Sequence, residues 1–267
     1  MYFYTYDGTF EGLLTSIFEI YDRKAVPDKI CRIGSEQPGL FAQTITVVTD
    51  ESKAERVWQG LGKKISKEAR KNLYKAFLAE HPQVEMLIYE YARLAFASKI
   101  SIEENFAADC VRELAQLNKQ VFRESHRMEA FIRFQKTADG LFYATIAPDF
   151  NILPLLSDHF EKRYADQRWL IYDSKRHYGL FYDLEKVNQI VLEETITDRS
   201  GKLPTAILED KEELYQQLWQ TYFQHVNIPE RKNNKLHLRH IPRRYWRYLT
   251  EKQPALPGTS RSTLKIE

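Results

Sequence analysis

The sequence predicts an α+β fold, with a central antiparallel sheet arranged as hairpin, helix, hairpin and a layer of helices packed on it. Three observations carry this. Between His126 and Asp183, two pairs of β-branched and aromatic runs flank one helical stretch. The runs Phe131–Gln135 and Leu141–Ile146 are separated by Thr137-Ala138-Asp139-Gly140, and an Asp-Gly step favours a hairpin turn because Gly accepts positive φ. Upstream, successive segments carry apolar residues at helical spacing, which supplies the layer.

In chain order, residues 2–6 read as a short strand, and Asp7-Gly8-Thr9 as a turn. Asp7 or Thr9 would cap the next helix, because a short side-chain oxygen can accept an orphan backbone N–H. That helix carries Phe10, Leu13, Leu14, Ile17, Phe18 and Tyr21 on one face. Gly12 inside it costs about 1 kcal/mol against Ala; a close packing contact or a ligand approach would explain its presence. Residues 25–40 contain Pro27, Gly34, Pro38 and Gly39 and read as a loop. Thr44–Val48 reads as a strand, followed by a Thr49-Asp50 cap and a short helix through Ala54, Val57 and Leu61.

Three helices are expected next. Ser66 caps the first, which His81-Pro82 breaks. Val84, Leu87, Ile88, Tyr91, Leu94 and Ala95 stripe the second. Phe106, Cys110, Leu114, Leu117, Val121 and Phe122 stripe the third, which ends near His126. Within the central motif, Leu153, Leu156, Phe160 and Tyr164 mark the helix, and Trp169–Asp173 and Tyr178–Tyr182 the second hairpin, joined by Lys175-Arg176-His177. Residues 188–193 read as an edge strand. Leu214, Leu218, Tyr222 and Phe223 mark an amphipathic helix ended by Pro229. The domain reading is 1–62, 63–128, 129–194 and 195–254, followed by a flexible tail at 255–267, all in one composite domain.

Bulk composition excludes several classes. Hydrophobic residues make up 43% of the 267 positions, which excludes general disorder. The net charge is +2, so any case for nucleic acid must rest on local clustering. Cys31 and Cys110 form no CxxC pattern, and they read as thiols of a reducing cytosol. No run approaches the ~18 apolar residues of a membrane span, and no signal peptide is apparent. A cytoplasmic protein without membrane association is expected. No Walker loop, GxSxG, HExxH or zinc-deaminase signature occurs, so neither cofactor nor metal is expected.

The densest basic stretch is residues 229–252. It holds Arg231, Lys232, Lys235, Arg239, Arg243, Arg244, Arg247 and Lys252, interleaved with Tyr245, Trp246 and Tyr248. Phosphate needs cationic donors, and Arg can give one phosphate two parallel hydrogen bonds. Aromatic faces can stack unpaired bases. The structural alternative places Tyr245, Trp246 and Leu249 on one helical face in the core, leaving the arginines solvated. Lys175 and Arg176, at the hairpin tip, would extend a phosphate-binding surface or form a solvated turn. Arg133 is expected inside a strand, where it needs an anionic partner, with Asp149, Asp158 or Asp173 as suppliers. Asp149 and His159 are the weak catalytic candidates, as an acid/base pair or as a helix cap and a satisfied histidine.

Three motifs carry a family resemblance. They are YDGTFEGLLTSIFEIY from Tyr6, FIRFQKTADGLFYATIAPDFNILPLLSDHFEKRYADQRWLIYDSKRHYGLFYD from Phe131, and ERKNNKLHLRHIPRRYWRYL from Glu230. They resemble a bacterial family of probable DNA metabolism or DNA repair proteins that carries a domain of unknown function. Members accompany a radical-SAM protein of DNA modification, and some are fused to a uracil-DNA-glycosylase-like domain. The resemblance implies a DNA-directed role and a radical-SAM partner, and it assigns no catalytic residue. This chain lacks the CxxxCxxC cluster of radical-SAM enzymes, so it would be the companion protein, without the glycosylase fusion.

The leading expectation is therefore a DNA-binding accessory factor acting with a radical-SAM partner. One alternative is an enzyme acting on a nucleobase or nucleotide flipped into a pocket by the central sheet, built from Trp169, Tyr143, Tyr178, Asp149 and His159. Another is a protein-docking scaffold. A deep pocket joining those five residues would favour the enzyme.

Overall fold

Short polar side chains start the helices where the sequence places them. Thr9 Oγ1 accepts from the Gly12 amide at 2.9 Å and opens α1 (Phe10–Asp22). Asp50 accepts from the Ser52 and Lys53 amides at 2.9 and 3.1 Å and opens α2 (Glu51–Gly62). Ser66 Oγ accepts from the Ala69 amide at 3.0 Å and opens α3 (Lys67–Phe77). Each bond satisfies a donor that has no partner inside its own helix. α4 (Val84–Ala97) follows Pro82, and α5 (Asp109–Phe131) closes the helical series.

The computed structural model describes residues 2–35, 43–192, 197–198, 201–226 and 234–253. Arg231, Lys232, Pro229 and the tail expected at 255–267 lie outside the described residues. The chain forms two compact units, residues 1–123 and 124–267, and the boundary falls within α5.

In the first unit, β1 (Tyr2–Tyr6) lies between β2 (Lys29–Arg32) and β3 (Gln43–Thr46), parallel to both. The β2 strand falls inside the stretch expected as loop; Ile30 and Cys31 are buried there beside β1. α1 packs on α2, over a core that includes Tyr4, Tyr6, Leu13, Ile17 and Leu61. Of the three helices expected as a layer on the central sheet, α3 and α4 belong to this unit, where α4 meets β2 and α2, and α5 spans the boundary. Gly12 has a packing explanation: a Cβ there would sit 2.3 Å from Asp7 Oδ1 and 2.8 Å from Thr49 Oγ1.

The second unit holds a five-stranded sheet in the order β4-β5-β6-β7-β8. Its strands are β4 (Gln135–Lys136), β5 (Phe142–Ile146), β6 (Trp169–Asp173), β7 (Tyr178–Tyr182) and β8 (Val187–Ile190). The α+β class holds, but the central sheet is mixed, not antiparallel. β5 and β6 pair in parallel, with Phe142 opposite Trp169 and Ile146 opposite Asp173. The reason is the connection. α6 (Leu153–Arg163) carries the chain back from the end of β5 to its beginning, so β6 must run the same way. The first hairpin is also shorter than expected, because α5 continues through Phe131 and leaves β4 two residues.

Trp169, Tyr143, Tyr172, Phe160 and Tyr245 are fully buried around this sheet. Trp169 stacks on Tyr182 at 5.5 Å between ring centroids. α7 (Glu212–Val226), α8 (Asn234–His240) and two 3₁₀ segments, Arg243–Tyr248 and Thr250–Lys252, complete the unit. Among the described residues, no helix is long and apolar enough to cross a membrane.

Candidate functional site

Ile146 and Asp173 end the parallel strands β5 and β6 side by side. Asp173 is fully buried, and its Oδ1 accepts from the backbone amides of Lys175 at 2.9 Å and Arg176 at 3.3 Å. This carboxylate shapes the turn at Lys175-Arg176-His177, and His177 adopts φ +58° within it. Arg176 then folds back. Its Nη1 lies 2.9 Å from Asp173 Oδ2, and it donates to the carbonyls of Pro148 at 3.3 Å and Asp149 at 2.9 Å. Its side chain is only 10% exposed. Lys175 Nζ donates to the same Asp149 carbonyl at 2.9 Å. The hairpin tip read as a phosphate surface thus clamps the loop between β5 and α6.

The C-terminal segment reaches that loop from elsewhere in the unit. Arg244 Nη2 lies 2.9 Å from Asp149 Oδ2 and 3.8 Å from Glu124 Oε1, and it donates to the Tyr245 hydroxyl at 2.8 Å. Glu124 is buried, and it accepts from the amides of Asp149 at 2.9 Å and Phe150 at 2.8 Å and from the Tyr245 hydroxyl. Burial, followed by the Glu124 carboxylate, pushes the Tyr245 phenol well above its ordinary range, so it remains a hydrogen-bond donor. Sequence reasoning missed Glu124. It is one acid on a polar helix, and no local pattern distinguishes it.

These contacts sort the cations. Arg176 is paired with Asp173, and Arg244 with Asp149 and Glu124. Lys235, Arg239, Arg243 and Arg247 are exposed and form no ion pair among the described residues. Tyr245 and Leu249, each 1% exposed, anchor this segment in the core. Trp246 is half-buried; its N–H donates to the Ile241 carbonyl at 3.0 Å, with Arg243 at 5.9 Å and Lys252 at 5.3 Å from its ring centroid. The segment forms 3₁₀ turns where a helix was the structural alternative; Tyr245 and Leu249 are core anchors as that alternative has it, but Trp246 is only half-buried and Arg244 is ion-paired, while Arg243 and Arg247 stay solvated.

Residues 82–251 match the model of a family described as a domain of unknown function, DUF4130. The chain belongs to this family. No curated protein matches it. All the cationic candidates lie inside the DUF4130 region, including Arg231 and Lys232, which fall outside the described residues.

The two catalytic candidates of the DUF4130 region have different partners. Asp149 meets Arg244, whereas His159 Nδ1 lies 4.0 Å from Glu129 Oε2 and packs against Phe160. Tyr178 donates to Asn151 Oδ1, and Tyr143 lies in a buried cluster with Leu170, Tyr172 and Leu203. The five residues expected to form a base pocket therefore have separate surroundings among the described residues. Of them, only Trp169 lines a cavity of about 540 Å³, alongside Phe142, Tyr164, Gln167, Tyr215 and Trp219. It opens at the amino ends of β5 and β6, roughly 13 Å of strand from the Asp149 loop. Arg133, expected to meet one of three aspartates, instead pairs with Glu251 at 2.8 and 3.2 Å. No group of His, Cys, Asp and Glu that could hold a metal occurs among the described residues.

Proposed function

We propose that this protein binds nucleic acid through the exposed cations of residues 235–247, as a DNA-binding accessory factor in DNA repair or modification. The observation that carries the reading is the sorting of charges. Lys235, Arg239, Arg243 and Arg247 are exposed and without carboxylate partners among the described residues, on a segment pinned by Tyr245 and Leu249. Unpaired cations on an anchored segment can meet phosphates without first breaking an internal ion pair, and each phosphate contact releases a condensed counterion. Lys175 adds a neighbouring exposed ammonium, while Arg176 and Arg244 support the surface by holding the Asp149 loop. The family resemblance supports DNA as the target and a radical-SAM protein as the partner.

The test is binding of labelled single-stranded and duplex DNA at two salt concentrations, with the wild type and Arg239→Ala/Arg243→Ala/Arg247→Ala. Salt-sensitive binding that weakens in the variant is expected. Absence of DNA binding at low salt would remove the reading and leave the basic segment as a protein-docking surface.

A further inference from the structure

We infer that the cavity at the amino ends of β5 and β6 is a binding site for an uncharged planar heteroaromatic ring of nucleobase or nucleoside size. The inference does not depend on the cationic surface. A volume of about 540 Å³ falls in the range of small-molecule sites, which pair apolar walls with a few placed polar groups. Here the walls are aromatic. Phe142 and Trp169 are register partners at the start of the parallel pair, Tyr164 and Gln167 come from the end of α6 and the turn after it, and Tyr215 and Trp219 stand one turn apart on α7.

The rings are held before any ligand arrives. Trp219 donates its N–H to Glu251 Oε2 at 2.9 Å, and the Arg133 guanidinium lies 5.3 Å from its ring centroid. Trp169 is stacked on Tyr182. Fixed walls reduce the ordering cost of binding. The charged groups at the cavity are already matched: Lys136 with Glu209 at 3.0 Å, and Arg133 with Glu251. Glu212 accepts from the Lys136 amide at 3.1 Å and from Gln216 at 3.0 Å. A charged ligand would have to break these pairs, whereas a neutral ring would not.

The lining holds polar groups with unused hydrogen-bonding capacity, Glu209 Oε2 among them, which is buried with no hydrogen bond among the described residues beyond its ion pair with Lys136. The indole N–H of Trp169 is buried without an acceptor among the described residues, and buried donors are seldom left so. The Gln167 carboxamide lines the same cavity and has no side-chain hydrogen bond among the described residues. A carboxamide offers a donor and an acceptor together, the complement of a heteroaromatic edge that carries both. A purely hydrocarbon ligand would leave the carboxamide unmatched.

The experiment titrates the full-length protein with adenosine, guanosine, cytidine and uridine, and with ribose 5-phosphate as a probe without a ring, by calorimetry and tryptophan fluorescence. At least one nucleoside should bind and change the fluorescence, and ribose 5-phosphate should not bind. Gln167→Ala and Trp219→Ala should each weaken nucleoside binding about tenfold or more, while Arg243→Ala should leave it unchanged. Both altered side chains lie at the edge of the fold; should Trp219→Ala melt early, Gln167→Ala carries the test. Failure of every nucleoside to bind up to about 5 mM, or equal binding by Gln167→Ala and the wild type, overturns the inference. Nucleoside failure with DNA binding intact would remove this site and leave the cationic surface standing.

Discussion

Arg244 Nη2 lies 2.9 Å from the Asp149 carboxylate, which joins a residue read as a phosphate contact to one read as a catalytic acid. Neither role is needed to explain the pair. Beneath it, Glu124 gathers the Asp149 and Phe150 amides and the Tyr245 hydroxyl, so one buried acid ties α5, the β5–α6 loop and the C-terminal segment together.

Glu124→Ala should therefore be severe. Three buried or partly buried donors would lose their acceptor at once, and removing one partner from such a network costs about 3–5 kcal/mol. Glu124→Gln keeps an acceptor oxygen and should cost clearly less. Urea denaturation of the two variants measures the difference; a loss below about 1 kcal/mol for the alanine variant would contradict the central role of this carboxylate.

The sorting of cations predicts two distinct phenotypes. Arg239→Ala/Arg243→Ala/Arg247→Ala should lower DNA affinity and flatten the dependence of log affinity on log salt by roughly 0.7–0.9 per lost phosphate contact, with little change in melting temperature. Arg176→Ala should act the other way. It leaves Asp173 buried without its guanidinium partner, so the melting temperature should fall while the salt slope of the remaining folded protein is kept. If both variants shifted only the slope, the division into structural and free cations would be wrong.

Glu251 supplies a pH dependence with a definite sign. Burial pushes its carboxyl upward, but the hydrogen bonds and charge of Arg133, with the Trp219 N–H, outweigh it and hold it below the ordinary carboxylate range. A lowered folded-state value means that the unfolded chain binds the proton more readily. The stabilisation is present above the unfolded value of about 4.3 and is lost as pH falls through the lower folded value. Thermal melts below about pH 4 should show wild-type stability falling towards that of Glu251→Gln, with the gap between them widest near neutrality. A constant gap across the acid range would refute the assignment.

Gly12 inverts a usual substitution effect. In an exposed helix interior, Gly→Ala is stabilising by about 1 kcal/mol. Here the added Cβ would meet Asp7 Oδ1 at 2.3 Å, Thr49 Oγ1 at 2.8 Å and the Tyr6 ring at 2.9 Å. Gly12→Ala should destabilise the first unit by about 1–3 kcal/mol, detectable as a lowered melting temperature. A stabilised variant would show that the hydrogen bond from the Thr49 hydroxyl to Asp7 Oδ2, 2.8 Å long, yields without cost.

Much of the fold was legible because it is local. The caps at Thr9, Asp50 and Ser66 and the strands Trp169–Asp173 and Tyr178–Tyr182 stand where periodicity and short-range hydrogen bonding place them. What was missed is long-range. β2 is a strand only because β1 lies beside it, in a stretch whose glycines and prolines read as loop. Arg133 was expected to find an aspartate, and its partner Glu251 stands 118 positions away. The base pocket was expected by the central sheet from Trp169, Tyr143, Tyr178, Asp149 and His159, whereas of these only Trp169 lines the aromatic cavity, at the ends of β5 and β6 opposite the Asp149 loop.

By itself, the sequence determined most of the element types, the α+β class, the helix caps and the density of positive charge near the C-terminus, because each depends on residues a few positions apart. Only the tertiary structure decided that β5 and β6 run parallel, that Arg176 and Arg244 serve carboxylates of the scaffold, and that Lys235, Arg239, Arg243 and Arg247 form no ion pair among the described residues. The physical reason is that attraction between charges falls with distance in space and strengthens with burial. Neither quantity is set by separation along the chain.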